Sequence, residues 1–190
     1  MPDGRDDDLR DESYLASIQS SQTVFAGRIW DVVRDRIKLD EIEFDRDYLK
    51  HPGSVAVLAM NGQGEVLLIK QYRHPISKRD WELPAGLRDI AGEPKEATAK
   101  RELAEEAGIQ ASKWTELGQW ALSPGSSSEQ ITIFLAEDVQ EVLTDFTPEG
   151  EELDIERRWV PIEHAVNAVI EGRIQNAVLV IGVLSAYVRR

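Results

Sequence analysis

Short stretches rich in apolar residues follow one another along most of the chain, and their spacing predicts β-strands. Residues 23–40 carry such positions, and so do SVAVLAM (residues 54–60) and EVLLIKQYR (residues 65–73). The last two stretches flank NGQG, whose asparagine and glycines suit the positive φ of a tight turn. We therefore predict early strands at 23–40 and a hairpin over 54–73.

Helical and strand-like patterns alternate in the second half of the chain. Pro94 suits the first turn of a helix and Gly108 its C-terminal end, so we predict a helix at 94–107. The stretches WTELGQWALS, EQITIFLAEDV and DIERRWVP are strand-like, whereas NAVLVIGVLSAYVRR repeats apolar residues with helical spacing. Strands, a helix, more strands and terminal helices predict a layered, mixed α/β domain.

Composition limits the classes of protein to consider. The 190 residues, 42% of them hydrophobic, suffice for one globular domain. The net charge of -13 argues against binding to nucleic acid or to an anionic membrane surface. The chain has no cysteine, which excludes disulfides, thiol nucleophiles and zinc–thiolate sites. The N-terminus lacks the apolar core of a signal peptide, so we expect a cytoplasmic protein.

Glutamates crowd the predicted helix at 94–107. Glu102, Glu105 and Glu106 fall within roughly a 100° arc, beside an apolar face that can be buried. Like charges at i,i+4 are a small liability unless a cation compensates them. The spacing E-x-x-E-E by itself is common on solvated acidic faces, and the residues around it decide between the two interpretations.

The surrounding residues closely resemble the Nudix box, G-x5-E-x7-R-E-U-x-E-E-x-G-U, where U is aliphatic. The matching positions are Gly86, Glu93, Arg101, Glu102, Leu103, Glu105, Glu106, Gly108 and Ile109. One departure is visible, because six residues rather than five separate Gly86 from Glu93. From Glu93 onward the match has no gap.

The resemblance implies a hydrolase of nucleoside diphosphates linked to another group, on an α/β/α sandwich with a mixed β-sheet. It makes Glu102, Glu105 and Glu106 ligands of Mg²⁺, or alternatively Mn²⁺, with the carbonyl of Ala85 as a further oxygen. Oxygen ligands suit such hard cations, which neutralise the diphosphate charge and activate water. Arg101 and Glu93 are expected to hold loop and helix together as an ion pair, with Gly86 and Gly108 as the glycines of the box.

The flanking segments QYRHP and WELPAG resemble those of ADP-ribose pyrophosphatases. Arg73 offers a fork of donors suited to phosphate. Trp81 either stacks on substrate or packs in the core, and Glu82 binds either a ribose hydroxyl or a main-chain amide. In SPGSSSE, Pro124 lies sixteen residues beyond Gly108, the position that marks ADP-ribose hydrolases in this family. We therefore expect cleavage of ADP-ribose to AMP and ribose 5-phosphate.

The general base is expected on the acidic loop TPEGEELDIERRWVP. Glu151 is the first candidate, Glu152 the second and Glu149 the third, and Glu105 becomes the candidate if none of the three acts. An exposed acidic loop without a catalytic role remains the alternative.

Two further alternatives concern function. The chain is either a Nudix hydrolase of another nucleotide sugar or dinucleotide, such as GDP-mannose or a flavin dinucleotide, or a module that senses ADP-ribose without cleaving it. The intact glutamates favour catalysis. Residues 1–13 form a charged tail expected to be disordered. Residues 14–50 form a strand segment that is a candidate for homodimerisation, and residues 51–190 form the hydrolase domain.

Overall fold

The computed structural model of the chain describes residues 9–144 and 154–190. The chain divides after Lys50 into two compact units, Met1–Lys50 and His51–Arg190. The first eight residues of the tail expected to be disordered lie outside the described ranges.

The first unit is a three-stranded antiparallel sheet. Its strands, in spatial order, are β1 (Ser17–Ala26), β2 (Asp31–Leu39) and β3 (Ile42–Lys50). The strands predicted over 23–40 are confirmed, although the first begins before residue 23. Burial is slight, since Val33 is the one buried apolar residue described in this unit and β1 is exposed along its whole length.

The second unit contains two sheets. One has the order β7-β4-β9-β8, with β4 (Ser54–Ala59) parallel to β9 (Ile131–Glu141) and the other neighbours, β7 (Ala85–Leu87) and β8 (Ile109–Trp120), antiparallel. The other sheet has the order β10-β5-β6, with β5 (Glu65–Arg73), β6 (Lys78–Glu82) and β10 (Glu156–Pro161) all antiparallel.

Helices cover both faces of these strands. Side chains of a strand alternate between faces, so β4 directs Val55 and Val57 toward α1 (Lys95–Ala107) and Leu58 toward α2 (Ile162–Ile170) and α3 (Ala177–Val188). Two apolar clusters result, one on each side of the strands. The predicted α/β/α sandwich with a mixed sheet is confirmed.

The helix ends follow the local signals in the sequence. The helix predicted at 94–107 is confirmed, because α1 begins after Pro94 and ends at Gly108, whose φ of 64° is left-handed. The predicted C-terminal helix is confirmed as α3. Within residues 9–144 and 154–190, no helix combines the length and the apolar content needed to cross a membrane.

The hairpin predicted over 54–73 is wrong beyond its turn. Gly64 donates to Asn61 at 3.0 Å, and a single bridge joins Met60 to Val66, after which β4 and β5 enter different sheets. All six residues of β4 are buried, as expected for a central strand whose partners come from distant parts of the chain.

Candidate metal and substrate site

The apolar face of α1 sets the direction of its glutamates. Leu103 is fully buried against the strands, and this register brings Glu106 against the first residue of β7. Glu106 is only 7% exposed, and its Oε2 accepts a hydrogen bond from the main-chain N–H of Ala85 at 2.8 Å. The last turns of α1 are therefore tied to the start of β7.

Gly86 lies directly against Glu102. A Cβ built at residue 86 would overlap the carboxylate of Glu102, so any other residue there would displace that side chain. This contact, rather than an unusual φ, explains the glycine. The first glycine of the box thus meets the helix even though the intervening loop is one residue longer than the pattern.

Arg101 lies among three carboxylates. Its Nη1 is 2.7 Å from Glu102 and 2.9 Å from Glu105, and its Nη2 is 3.7 Å from Glu93. The contact with Glu93 is therefore the longest of the three. Glu93 also accepts a hydrogen bond from the hydroxyl of Thr98 at 2.8 Å, which fixes the carboxylate near the start of α1.

This environment shifts the protonation of Glu102. Burial raises its pKa above the ordinary value, and the neighbouring charge of Glu105 acts in the same direction, while Arg101 opposes both. The site therefore disfavours negative charge on Glu102 unless further positive charge is supplied. A divalent cation would supply it.

The donor chemistry fits a hard divalent cation. Glu102, Glu105, Glu106 and the Ala85 carbonyl offer oxygens only, the ligands that hard divalent cations prefer. Among the residues that the structure describes, no three acidic or histidine side chains converge closely enough to hold an ion. Arg101 engages two of the glutamates and the Ala85 amide the third, so these contacts would have to be exchanged for the ion.

Arg73 and Glu82 lie on one face of the β10-β5-β6 sheet, where their side chains form a bidentate ion pair. Arg73 donates from Nε to Oε1 of Glu82 at 2.8 Å and from Nη2 to Oε2 at 2.7 Å. Gln71 donates to the same Oε2 at 3.3 Å. Glu82 is 5% exposed, so a buried carboxylate fixes the plane of the guanidinium. Neither role expected for Glu82 from the sequence included this pairing.

Trp81 points to the opposite face of the sheet. Its ring packs against the apolar cluster under α2 and α3, with Lys70 Nζ 5.3 Å and the Arg158 guanidinium 4.8 Å from the ring centre. It also lines a cavity of about 500 Å³ together with residues of β10 and α2. The sequence does contain a signal for this separation, because side chains alternate between the two faces of a strand. Adjacent residues such as Trp81 and Glu82 therefore cannot lie on the same face.

Pro124 lies exposed in the loop between β8 and β9. The turn around it is closed by the N–H groups of Ser126 and Ser127, which both donate to the Ser123 carbonyl at 2.9 Å. The loop leads into β9 beside the start of β4, where Ser54 pairs with Ile131 on one side and with Leu87 of β7 on the other. Two strand spacings, about 10 Å, therefore separate the start of β9 from β7.

The three candidate bases lie outside the described residues. Glu149, Glu151 and Glu152 belong to positions 145–153, so the structure gives no geometry for them. After this segment, Asp154 contacts Arg79 through its carboxylate at 3.1 Å and through its carbonyl oxygen at 3.0 Å.

Comparisons with known proteins agree with this arrangement. The family model of the NUDIX domain matches residues 50–179. An ADP-ribose pyrophosphatase of Mycobacterium tuberculosis (strain ATCC 25618 / H37Rv) is 40% identical over 171 residues, which cover 88% of this chain and 81% of that protein. An ADP-ribose pyrophosphatase of Bacillus subtilis (strain 168) is 34% identical over 159 residues, which cover 83% of this chain and 85% of that protein.

A solved structure shows the same fold. The crystal structure of an ADP compounds hydrolase superposes with a TM-score of 0.73 at 21% identity, covering 95% of this chain and 97% of that one. Three findings agree: the helix that carries the glutamates, its contacts with β7, and the family match over more than half of the sequence. The chain belongs to the Nudix hydrolase family.

Proposed function

We propose that this protein hydrolyses the diphosphate of ADP-ribose, with water and a divalent cation, to AMP and ribose 5-phosphate. Two relatives that carry the name ADP-ribose pyrophosphatase, each matching more than four fifths of the chain, support this substrate. The Pro124 position in the β8–β9 loop supports it as well.

One structural observation carries the proposal. The short segment 82–85 begins at the carboxylate that holds Arg73 and ends at the Ala85 amide that holds Glu106. A guanidinium suited to phosphate oxygens and a set of carboxylates suited to a divalent cation are therefore linked through four consecutive residues. A charged diphosphate needs both kinds of group in a chain whose net charge is -13.

Different residues of the chain bind the cation and the phosphate groups. Glu102, Glu105, Glu106 and the Ala85 carbonyl would hold Mg²⁺ or Mn²⁺, which when bound neutralises phosphate charge and lowers the pKa of water. Arg73, oriented by Glu82, binds phosphate oxygens through charge-assisted hydrogen bonds.

A carboxylate on the segment before β10 accepts the proton of the attacking water. Glu151 is our first candidate for this base, followed by Glu152 and Glu149, and Glu105 takes the role if none of them acts. Attack of water on one phosphorus breaks the bond between that phosphorus and the bridging oxygen of the diphosphate. The bridging oxygen leaves on the other phosphorus and becomes part of the terminal phosphate of the second product.

We further propose that the protein is a homodimer formed through residues 14–50. Strand β1 exposes Ile18 and Phe25, which are 60% and 63% accessible, and exposed large apolar side chains on a strand favour packing against a partner. The net charge supports neither nucleic acid nor an anionic membrane as that partner. Sedimentation at micromolar concentration should give twice the chain mass of 21.4 kDa, and a species of chain mass alone would refute the dimer.

A panel of substrates tests the proposed reaction. ADP-ribose, GDP-mannose and a flavin dinucleotide are incubated with the protein and magnesium, and the products are separated by anion-exchange chromatography. We expect AMP and ribose 5-phosphate in equal amounts, with ADP-ribose cleaved at the highest kcat/KM. Faster cleavage of GDP-mannose or the dinucleotide would reassign the substrate, and binding of ADP-ribose without any cleavage would identify a sensing module.

A further inference from the structure

Residues 51–54, which end on the first residue of β4, are bonded to the end of the β8–β9 loop. The main-chain N–H of His51 donates to the Ser128 hydroxyl at 2.9 Å, and the Ser54 N–H donates to the Gln130 carbonyl at 3.0 Å. The Ser54 hydroxyl donates to Oε1 of Glu129 at 2.8 Å. Three consecutive loop residues are thus held by one short segment distant in sequence.

The side chain of His51 adds a fourth contact to this set. Its Nδ1 accepts a hydrogen bond from the Gly53 N–H at 2.9 Å, so the proton of the neutral ring resides on Nε2. Nε2 is 3.7 Å from Oε1 of Glu129, and the two side chains are only 9% and 22% exposed. The loop is therefore closed by a partly desolvated histidine–carboxylate pair, in which electrostatic attraction is stronger than at the surface.

The same segment contacts the strand that leads to the metal site. The Gly53 carbonyl accepts a hydrogen bond from the Arg88 N–H at 3.1 Å, and Ser54 pairs with Leu87 of β7. Gly53 has a φ of 94°, which favours glycine, and a Cβ there would lie 3.3 Å from the Gln130 carbonyl oxygen. Residues 51–54 thus stand between the Ala85–Leu87 strand and the β8–β9 loop.

We propose that His51 and Glu129 are positioning residues that fix the β8–β9 loop beside the metal site and thereby set the preference among nucleoside diphosphate compounds. This inference rests on the proposed function, because it assigns the loop to substrate recognition. Neither residue is in contact with the glutamates of α1 through any bond described above, so they act on the loop rather than on the hydrolytic step.

Loss of the pair has a specific kinetic signature. A released loop must be ordered when substrate binds, and this ordering weakens binding of the substrate that uses the loop. The carboxylates of α1 are unaltered, so the chemical step should proceed at its usual rate once substrate is bound. Preference for ADP-ribose over compounds that do not use the loop should decrease accordingly.

The test compares Glu129→Gln and His51→Ala with the wild type. Each variant should raise KM for ADP-ribose about tenfold, within the range of coupling found between residues in contact, with kcat within about twofold. The ratio of kcat/KM for ADP-ribose to that for GDP-mannose should fall by a similar factor. The matched control is Glu137→Gln, which removes a carboxylate of β9 that pairs with Lys113 at 2.6 Å on the exposed part of the same two strands. Glu137→Gln should leave the KM for ADP-ribose and the ratio of the two kcat/KM values unchanged.

Conservative variants separate positioning from general destabilisation. The amide nitrogen of His51→Gln can occupy the place of Nε2 and donate to Glu129, whereas the shorter His51→Asn replaces only the Nδ1 side. His51→Gln should therefore bring KM most of the way back to the wild-type value, and His51→Asn should not. The double variant His51→Ala, Glu129→Gln should be no worse than either single variant, because both remove the same contact.

Hydrogen exchange provides a readout that does not need activity. The amides of Ser126 and Ser127, bonded to the Ser123 carbonyl, should exchange faster in Glu129→Gln and His51→Ala than in the wild type and the Glu137→Gln control. Unchanged exchange, or faster exchange with unchanged KM and substrate preference, would overturn the positioning role. If the wild type cleaves no ADP-ribose, the proposed function fails and the substrate preference with it, while the exchange rates still decide whether the pair holds the loop.

Discussion

Oε2 of Glu106 lies 2.8 Å from the main-chain nitrogen of Ala85, whose N–H donates to it. This bond joins the helix that carries the glutamates to the residue whose carbonyl is expected to be a further metal ligand. Because Glu106 is 7% exposed and its helix is anchored by buried Leu103, the position of the site is set by the packing of α1 rather than by surface loops. Changes at the site should therefore affect reaction rates more than folding.

Gly86→Ala should impair activity through Glu102. The added Cβ would overlap the Glu102 carboxylate, which must move, and a shift of about 1 Å in such a group is expected to cost about 100-fold in kcat/KM. The half-saturating magnesium concentration should rise in parallel. Gly62→Ala is the control, since a Cβ at residue 62 meets nothing within 4 Å. Equal activity of the two variants would contradict the role of this contact.

Arg73→Lys tests the guanidinium held by Glu82. Lysine keeps the charge but cannot reproduce two parallel bonds to a carboxylate or a phosphate, so KM for ADP-ribose should rise about tenfold or more. Arg79→Lys alters an exposed arginine paired with Asp154 and should have a small effect. Steady-state kinetics decide the matter, and an unchanged KM in Arg73→Lys would place phosphate binding elsewhere.

Glu151→Gln should lower kcat strongly, with little change in KM or in magnesium affinity, because it removes a proton acceptor and no ligand. Glu152→Gln should have a milder effect. If only Glu152→Gln reduces kcat, the base is the neighbouring residue, and if neither does, Glu105 becomes the candidate. The measurement is kcat at saturating ADP-ribose and magnesium.

The pair of His51 and Glu129 predicts a pH dependence of stability. Burial lowers the pKa of His51 below its usual value of 6.5, although the charge of Glu129 opposes the shift. The unfolded chain therefore takes up the proton at a higher pH than the folded protein does. Acidification from about pH 6.5 toward the lower folded-state pKa should reduce the free energy of unfolding.

His51→Gln lacks this titration and isolates it from the other ionisable groups. The stability of the wild type relative to the variant should decrease as pH falls through that window and become constant below it. Denaturant unfolding at several pH values measures the difference. A constant difference across the window would show that the titration of His51 does not contribute.

Local signals in the sequence predicted α1 to within one residue. Pro94 and Gly108 act on the backbone at their own positions, so their effect is readable without knowing the rest of the fold. The faces of α1 follow from its 3.6-residue period in the same way. The motif spacing therefore predicted which glutamates of α1 approach Ala85 and Gly86.

Pairing between distant segments was not predictable from such signals. The turn after β4 resembled a hairpin turn, yet β4 pairs with β7 and β9, because a fully buried strand must satisfy its backbone N–H and C=O groups along both edges. The bond between Arg73 and Glu82 depends on the register of β5 and β6. The contact of His51 with Glu129 depends on the parallel pairing of β4 and β9, which no local pattern encodes.

The central claim is that α1 holds the hydrolytic centre for ADP-ribose, and the most direct measurement is kcat/KM for ADP-ribose with magnesium in three variants of this helix. Glu105→Gln and Glu106→Gln should each lower it by orders of magnitude, since charge is removed at nearly constant shape, while circular dichroism and thermal unfolding show a retained fold. Glu96→Gln, which alters an exposed glutamate paired with Lys100 on the same helix, should keep the wild-type value. Near-normal turnover in both Glu105→Gln and Glu106→Gln would contradict the assignment.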